Sequence, residues 1–460
     1  MKENLVIGIQ EKPKDVLQWI VLSLQHVFAM FGATVLVPLI TGLDVGVALL
    51  ASGIGTLIYI LCTKGKAPVY LGSSFAYIAA IVASVINSAN ALEVVVGGEI
   101  QTFTSIYGAE GLYGVKDAIA DGLFSFSDVY SSAFLGLILV GVVYIIVAVI
   151  IKFVGSGWLK KLLPPVVIGP MIIIIGLGLA PVAIGSAGLN GGQGWQAPLV
   201  AAITFGTVVG VSLLGKGFFK IVPFLIAVVV GYTFASIFGL VDFSIFGNYT
   251  FIQAPNVTIL GTYALNWSSV LMFLPIAFVT IAEHIGDHTV LGEICGEDFI
   301  TDPGLDKTLL GDGIATLISG AIGGPANTTY GENTGVVAMT KVGSVYVTGL
   351  AGIFAILLGF FGYIQAFITS IPWAVIGGMT IVLYGLIAGN GVKVLINSKV
   401  NLGNMRNLII VATMLVIGLG GASLPINEAV SMTGMSLAAV VGIVLNLVLP
   451  NTDEADTVEQ

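Results

Sequence analysis

The sequence predicts an all-α integral membrane protein, with fourteen transmembrane segments arranged as two inverted seven-span repeats. Three observations carry that prediction: a composition too apolar for water, basic residues confined to alternate loops, and an internal repeat of opposite orientation. Hydrophobic residues make up 57% of the 460 and charged ones 9%, whereas a soluble domain carries about a quarter charged side chains. The apolar residues fall into about fourteen blocks of roughly 10–23 residues, separated by Gly, Pro and the few charges. Stretches such as Met171 to Ile175 or Ile409 to Val416 lack the alternation of a membrane β-barrel, so the spans are read as helices.

The blocks begin near Trp19, Val45, Val69, Ser132, Val166, Leu199, Ile221, Val270, Leu309, Tyr330, Val345, Phe367, Leu408 and Val430. Fourteen crossings put both termini on one side. If that side is the cytoplasm, fifteen of the sixteen basic residues lie inside, leaving Lys116 alone outside, as the positive-inside rule demands. Adding or dropping one span would flip every later loop and destroy the bias. The charged N-terminal stretch carries no cleavable signal. Residues of about 90–130 read as a long external insertion with six acids, Glu93 to Asp128, and Gly292 to Asp312 as an acidic cytoplasmic loop, both solvated connections.

Pro164 to Ala180 aligns with Pro372 to Ala388, seven of seventeen positions being identical, among them Gly169/Gly377 and Met171/Met379. These are spans five and twelve, which run in opposite directions, so the chain reads as two inverted halves. Spans three and ten are short counterparts that start with weak helix formers, Gly72-Ser73-Ser74 and Asn327 to Gly331. Non-helical backbone at membrane depth survives only where protein or a cavity satisfies it. Paired interrupted segments point to a transporter's binding site.

Two carboxylates, Glu283 and Glu332, lie deep in apolar sequence. Intramembrane acids face a pathway or pair with neighbouring helices, because an ionised group there costs several kcal/mol otherwise. Asp287 follows Glu283 by four residues, and His288 follows His284 by four, so each pair stacks on one face of the eighth helix; both later residues approach the membrane boundary. His26 in span one is read equally as a packed, hydrogen-bonded group or a functional one. Phe75, Tyr77 and Tyr330 accompany the interrupted spans, as packing or as stacking surfaces for a flat ring. Carboxylates that accept N–H hydrogens, free backbone N–H groups and an aromatic face together suit a planar, neutral heterocycle such as uracil. A buried acid that takes up and releases a proton couples such a solute to the proton gradient.

Residues Glu332-Asn333-Thr334-Gly335-Val336-Val337-Ala338-Met339-Thr340-Lys341, with Ser23 to Pro38, Tyr70 to Ala76, Ala282-Glu283-His284 and Asp302-Pro303-Gly304-Leu305, resemble the nucleobase-ascorbate transporters, or nucleobase:cation symporter-2 family. Glutamate at the signature's first position is similar to its pyrimidine branch, the bacterial carriers of uracil. The resemblance implies a core domain (1–155 and 266–366), a gate domain (156–265 and 367–450), a tail (451–460), short strands in spans 3 and 10, and a homodimer joined through gate domains in the plasma membrane. It implies uracil:proton symport by alternating access. Glu283 and Glu332 would bind the uracil N–H groups, with Phe75 and Tyr330 along the ring. Backbone around Ala33, Phe75 and Gly331 would add hydrogen bonds, Ser74 lying beside them, and Tyr384 would face the site from the gate. Glu283 leads the proton-coupling group, with Asp287, His284 and His288. Asp287 stands where such carriers can have a histidine, which bears on the coupling ion.

Competing readings are a purine, xanthine or other nucleobase carrier, one that is sodium-coupled, and an anion exchanger or channel. The buried acids oppose the last. No cofactor, metal site, nucleic-acid partner or enzymatic motif is read from the sequence; lipid, proton and nucleobase are the partners.

Overall fold

The computed structural model describes residues 5–96, 99–103, 115, 118–119, 122–191, 194–216, 219, 222–258, 267–427 and 430–450. Of the sequence expectations, the tail, Lys2, Lys116, Lys220 and much of the insertion lie outside them.

Fourteen principal helices follow one another among the described residues: α1 (Val16–Thr41), α2 (Val45–Cys62), α3 (Ile78–Ala91), α4 (Phe126–Val154), α5 (Pro165–Gly178), α6 (Gln196–Leu214), α7 (Pro223–Ile237), α8 (Phe273–Cys295), α9 (Leu305–Ala321), α10 (Gly331–Thr340), α11 (Val345–Gly359), α12 (Trp373–Asn397), α13 (Met405–Leu419) and α14 (Gly434–Val448). Seven helical stretches are long and apolar enough to cross a membrane, among them Val16–Thr41, Phe126–Val154 and Trp373–Asn397, and five shorter helices are also apolar. Their ends follow local chemistry. Asp15, Asp44 and Ser125 accept the first free backbone N–H groups of α1, α2 and α4, Pro164 and Pro372 precede α5 and α12, and left-handed Gly42 and Gly296 close α1 and α8.

Four packing relations position the site. α9 lies along α4 and α2, and α11 along α2 and α1. Elsewhere α12 packs on α5 and α6, α6 on α7, and α13 on α14 and α5. These groupings meet where α8 touches α5 and α14, and where α1 touches α7.

Between α2 and α3 a two-residue strand, β1 (Gly72–Ser73), pairs antiparallel with β4 (Asn327–Thr328) between α9 and α10, Gly72 opposite Thr328 and Ser73 opposite Asn327. Two hairpins, β2 (Glu93–Val96) with β3 (Glu99–Thr102) and β5 (Ser423–Asn427) with β6 (Val430–Thr433), depart from the all-helical expectation. The last of them delays α14, whose apolar run does not by itself distinguish strand from helix. The connection read as 90–130 is narrower, since α3 runs to Ala91 and α4 starts at Phe126. The acidic loop also shrinks: α8 continues to Cys295 and α9 begins at Leu305, so Asp312 is a buried helical residue and not a loop acid. Gly304, at φ +106°, makes the turn from which α9 starts.

Candidate functional site

The strand pair is held from every side by buried polar groups. Asn327 donates through Nδ2 to the Ala51 and Ala315 carbonyls, at 3.1 and 3.2 Å. Thr316 Oγ1 donates to the Asn327 carbonyl, Ser73 Oγ to the Thr34 carbonyl, and the Ser74 amide to the Ala326 carbonyl at 2.8 Å. Irregular backbone in the interior is thus paired by the protein itself. Beyond the strands, a 3₁₀ turn at Phe75–Tyr77 opens into α3, and α10 begins at Gly331. Neither start has a side-chain cap; Ser74 and Tyr330 occupy the capping positions. The N-cap thus leaves the first amide groups of α10 untaken, the Glu332 amide being met by its own carboxylate, and the helix dipole favours an acceptor there.

Glu332 sits in the first turn of α10 and Glu283 in the middle of α8, both half-buried. Glu283 lies within electrostatic reach of Glu332 and of Asp312, and among the described residues no group donates a hydrogen bond to its carboxylate. Asp287, one turn on, accepts from Thr329 Oγ1 at 3.1 Å, which ties α8 to the start of α10. With His288, Thr329, Tyr330, Asn333 and Thr334 it lines a narrow void. Phe75 and Tyr330 face each other with ring centroids 5.9 Å apart. They share one apolar cluster with Tyr384 of α12, which thereby reaches the same region from the other helix group. Ser74 Oγ, Tyr330 Oη and Tyr384 Oη are buried without a hydrogen-bond partner among the described residues, which leaves three polar atoms available to a ligand. A Cβ on Gly331 would meet open space. Ala33 lies within α1, its side chain outside the described set.

His26 is a packed histidine: its Nδ1 meets Asn333 Oδ1 at 2.7 Å and joins α1 to α10. His284 and His288 are fully buried within the protein. His284 Nδ1 meets Asp312 Oδ2 at 2.7 Å, and His288 Nε2 meets the Tyr59 hydroxyl. Asp312 and Tyr59 escaped the sequence reading. The signal for Asp312 was the Pro303-Gly304 break, which starts a helix two turns before the acid. Tyr59 left none. Among the described residues, no group of His, Cys, Asp and Glu is arranged to hold a metal ion.

Residues 17–427 match the model of a family described as "Permease family", Xan_ur_permease. The chain belongs to this family. It is 45% identical to the uracil permease of Bacillus caldolyticus, over 98% of this chain and 96% of that one. It is 40% identical to that of Bacillus subtilis (strain 168), over 100% and 99%, and 40% to that of Escherichia coli (strain K12), over 96% and 93%. Two solved structures share the fold of this family member. The transmembrane domain of a cyanobacterial bicarbonate transporter, BicA, superposes with a TM-score of 0.58 at 14% identity, covering 95% of this chain and 98% of that one. The murine Slc26a9 anion transporter in its inward-facing state gives 0.66 at 13%, covering 95% and 68%. The chain is thus a multi-pass membrane protein whose relatives are transporters.

Proposed function

We propose that the chain is a uracil:proton symporter of the plasma membrane, with fourteen crossings, both termini cytoplasmic, and a dimer formed through its gate domain. The observation that carries this is the pair of acids, Glu283 and Glu332, held near each other beside the uncapped start of α10 and the Phe75–Tyr330 rings. The carboxylates accept the two ring N–H groups, free amides and Ser74 donate to the carbonyls, and the aromatic pair covers one face. Near full-length identity to uracil permeases supports this substrate. Two helix groups meeting at α8 support a core that moves against a gate, and Tyr384 crosses that boundary. Exposed Gly286, Val290 and Glu293 on α8 and Gly331 and Met339 on α10 support an opening toward the lysine-rich side.

Cells without their own carrier should accumulate labelled uracil when they express this chain, and a protonophore should abolish accumulation. Glu283→Gln and Glu332→Gln should each reduce concentrative uptake to background. Wild-type accumulation in either variant removes that residue from the mechanism; sodium dependence, or equal competition by xanthine, replaces the coupling ion or the substrate.

A further inference from the structure

The helix that carries Glu283 presents three different sides. At about 100° per residue, Gly286, Thr289, Val290 and Glu293 share one side, and all four are exposed. His284 and His288 share the opposite side and are buried. Glu283 and Asp287 lie at the boundary, half-buried. A small turn of α8 about its axis therefore either drives both carboxylates into the core or lays them against the open side.

That rotation is fixed from behind. Asp312 of α9 and His284 are both fully enclosed, and their hydrogen-bonding contact at 2.7 Å joins α8 to α9. The His284 ring stacks on His288, centroids 3.9 Å apart. His288 Nδ1 donates to the His284 carbonyl at 2.8 Å. A carbonyl only accepts, so in the neutral ring Nε2 is the acceptor for the Tyr59 hydroxyl of α2. The second oxygen of Asp312 and Nε2 of His284 have no partner among the described residues, so the pair's one shared contact carries the pairing of two buried groups. Breaking it strands the remaining partner without water or protein to satisfy it. A turn of α8 relieves that penalty.

We infer that His284 and Asp312 are positioning residues that hold α8 in the one rotation where Glu283 faces the substrate. The inference rests on the uracil reading above, and two measurements separate them. In purified protein, Asp312→Ala should weaken uracil binding about tenfold or more. Asp312→Asn keeps a hydrogen-bonding group against His284 and should restore affinity to within about threefold, and the His284→Ala/Asp312→Ala double variant should bind no worse than Asp312→Ala alone, as expected for two halves of one contact. Unchanged affinity with a lowered melting temperature, or additive losses from the single variants, overturns the inference.

The second measurement needs no substrate. Gly286 faces open space, so Gly286→Cys in a Cys62→Ser background should react with a water-soluble maleimide, and adding Asp312→Ala should change that rate several-fold. Where Asp312→Ala does not accumulate, His284→Gln takes its place with the same expectation. An unchanged rate overturns the inference whatever the substrate proves to be, whereas failure of the unsubstituted chain to bind uracil removes only the substrate reading.

Discussion

Two pairs of segments, each drawn from opposite halves of the chain, meet in this protein by opposite means. α5 and α12 approach through glycine. A Cβ on Gly176 would lie 2.4 Å from the Tyr384 carbonyl oxygen, and one on Gly391 2.5 Å from that of Gly169, so the two backbones nearly touch along one seam. The starts of α3 and α10 meet instead through the β1–β4 pair and its polar supports, Asn327, Thr316 and Ser73. Lipid supplies no hydrophobic drive between helices, so close backbone packing is what holds the first pair together. The second pair gives up helical regularity and leaves uncapped amides beside two acids. One junction is scaffold and the other is chemistry.

Substituting the scaffold should have the largest effect. Gly176→Val places methyl groups against backbone atoms of α12 that cannot give way; overpacking of a core typically costs about 1–3 kcal/mol and more where backbone must shift. Folded protein should fall to a small fraction of the normal amount, read as the monodisperse peak on size-exclusion chromatography. Gly178 lies two residues on in the same helix with nothing within 4 Å of its would-be Cβ, so Gly178→Ala should leave the peak unchanged. Equal losses in both variants would mean that the seam is not what the glycine serves.

The same contrast sets how far the sequence could be read. α12 was legible as a helix because Pro372 precedes it and an apolar run carries it onward, but its block was read from Phe367, which falls in a separate short helix, Gly362–Thr369, so its start at Trp373 was set six residues too early. The interrupted segments were legible as interruptions, since Gly72-Ser73-Ser74 and Asn327 to Gly331 form poor helix. Their mutual pairing was not, because a two-residue strand carries no periodicity of its own. Asp312 was misplaced for a physical reason: Glu293, Glu297, Asp298, Asp302, Asp306 and Lys307 make the whole stretch look solvated, and only the turn at Pro303-Gly304 separates loop acids from a buried one. His284 and Asp312 meet only once the rotations of two helices are known, and no spacing within one helix encodes that. Glu283 and Glu332 needed no such knowledge, because a lone acid among apolar residues is costly wherever its neighbours lie.

At the chemical junction a small change should spare folding and injure binding. Gly72 abuts Tyr330 so closely that an added Cβ would sit 2.3 Å from its Cε2 and 2.8 Å from Thr34 Oγ1. In Gly72→Ala the tyrosine ring must swing away, since a side chain yields more easily than backbone, and its pairing with Phe75 goes with it. Uracil affinity should drop about tenfold, a loss of about 1.4 kcal/mol, while the size-exclusion peak keeps its height. A collapse of that peak would make β1 a structural seam like the one at Gly176, and the distinction between the junctions would disappear.

The smallest effect belongs to a contact that looks strong in isolation. Lys66, in the link from α2 to β1, reaches both oxygens of Asp302, in the link from α8 to α9, at 2.7 Å. Its 2.7 Å contact is as short as that of His284 with Asp312. Yet the Lys66 and Asp302 side chains are 42% and 66% exposed, against 0% for both members of the buried pair. Water and salt screen the exposed pair, and such bridges contribute about 0.2–1 kcal/mol. Lys66→Ala should therefore lower the melting temperature slightly, by less at high salt than at low, and leave uracil uptake unaltered. If uptake fell while melting stayed put, the bridge would be steering the movement of the α8–α9 link, and exposure would no longer separate contacts that hold the fold from contacts that set the site.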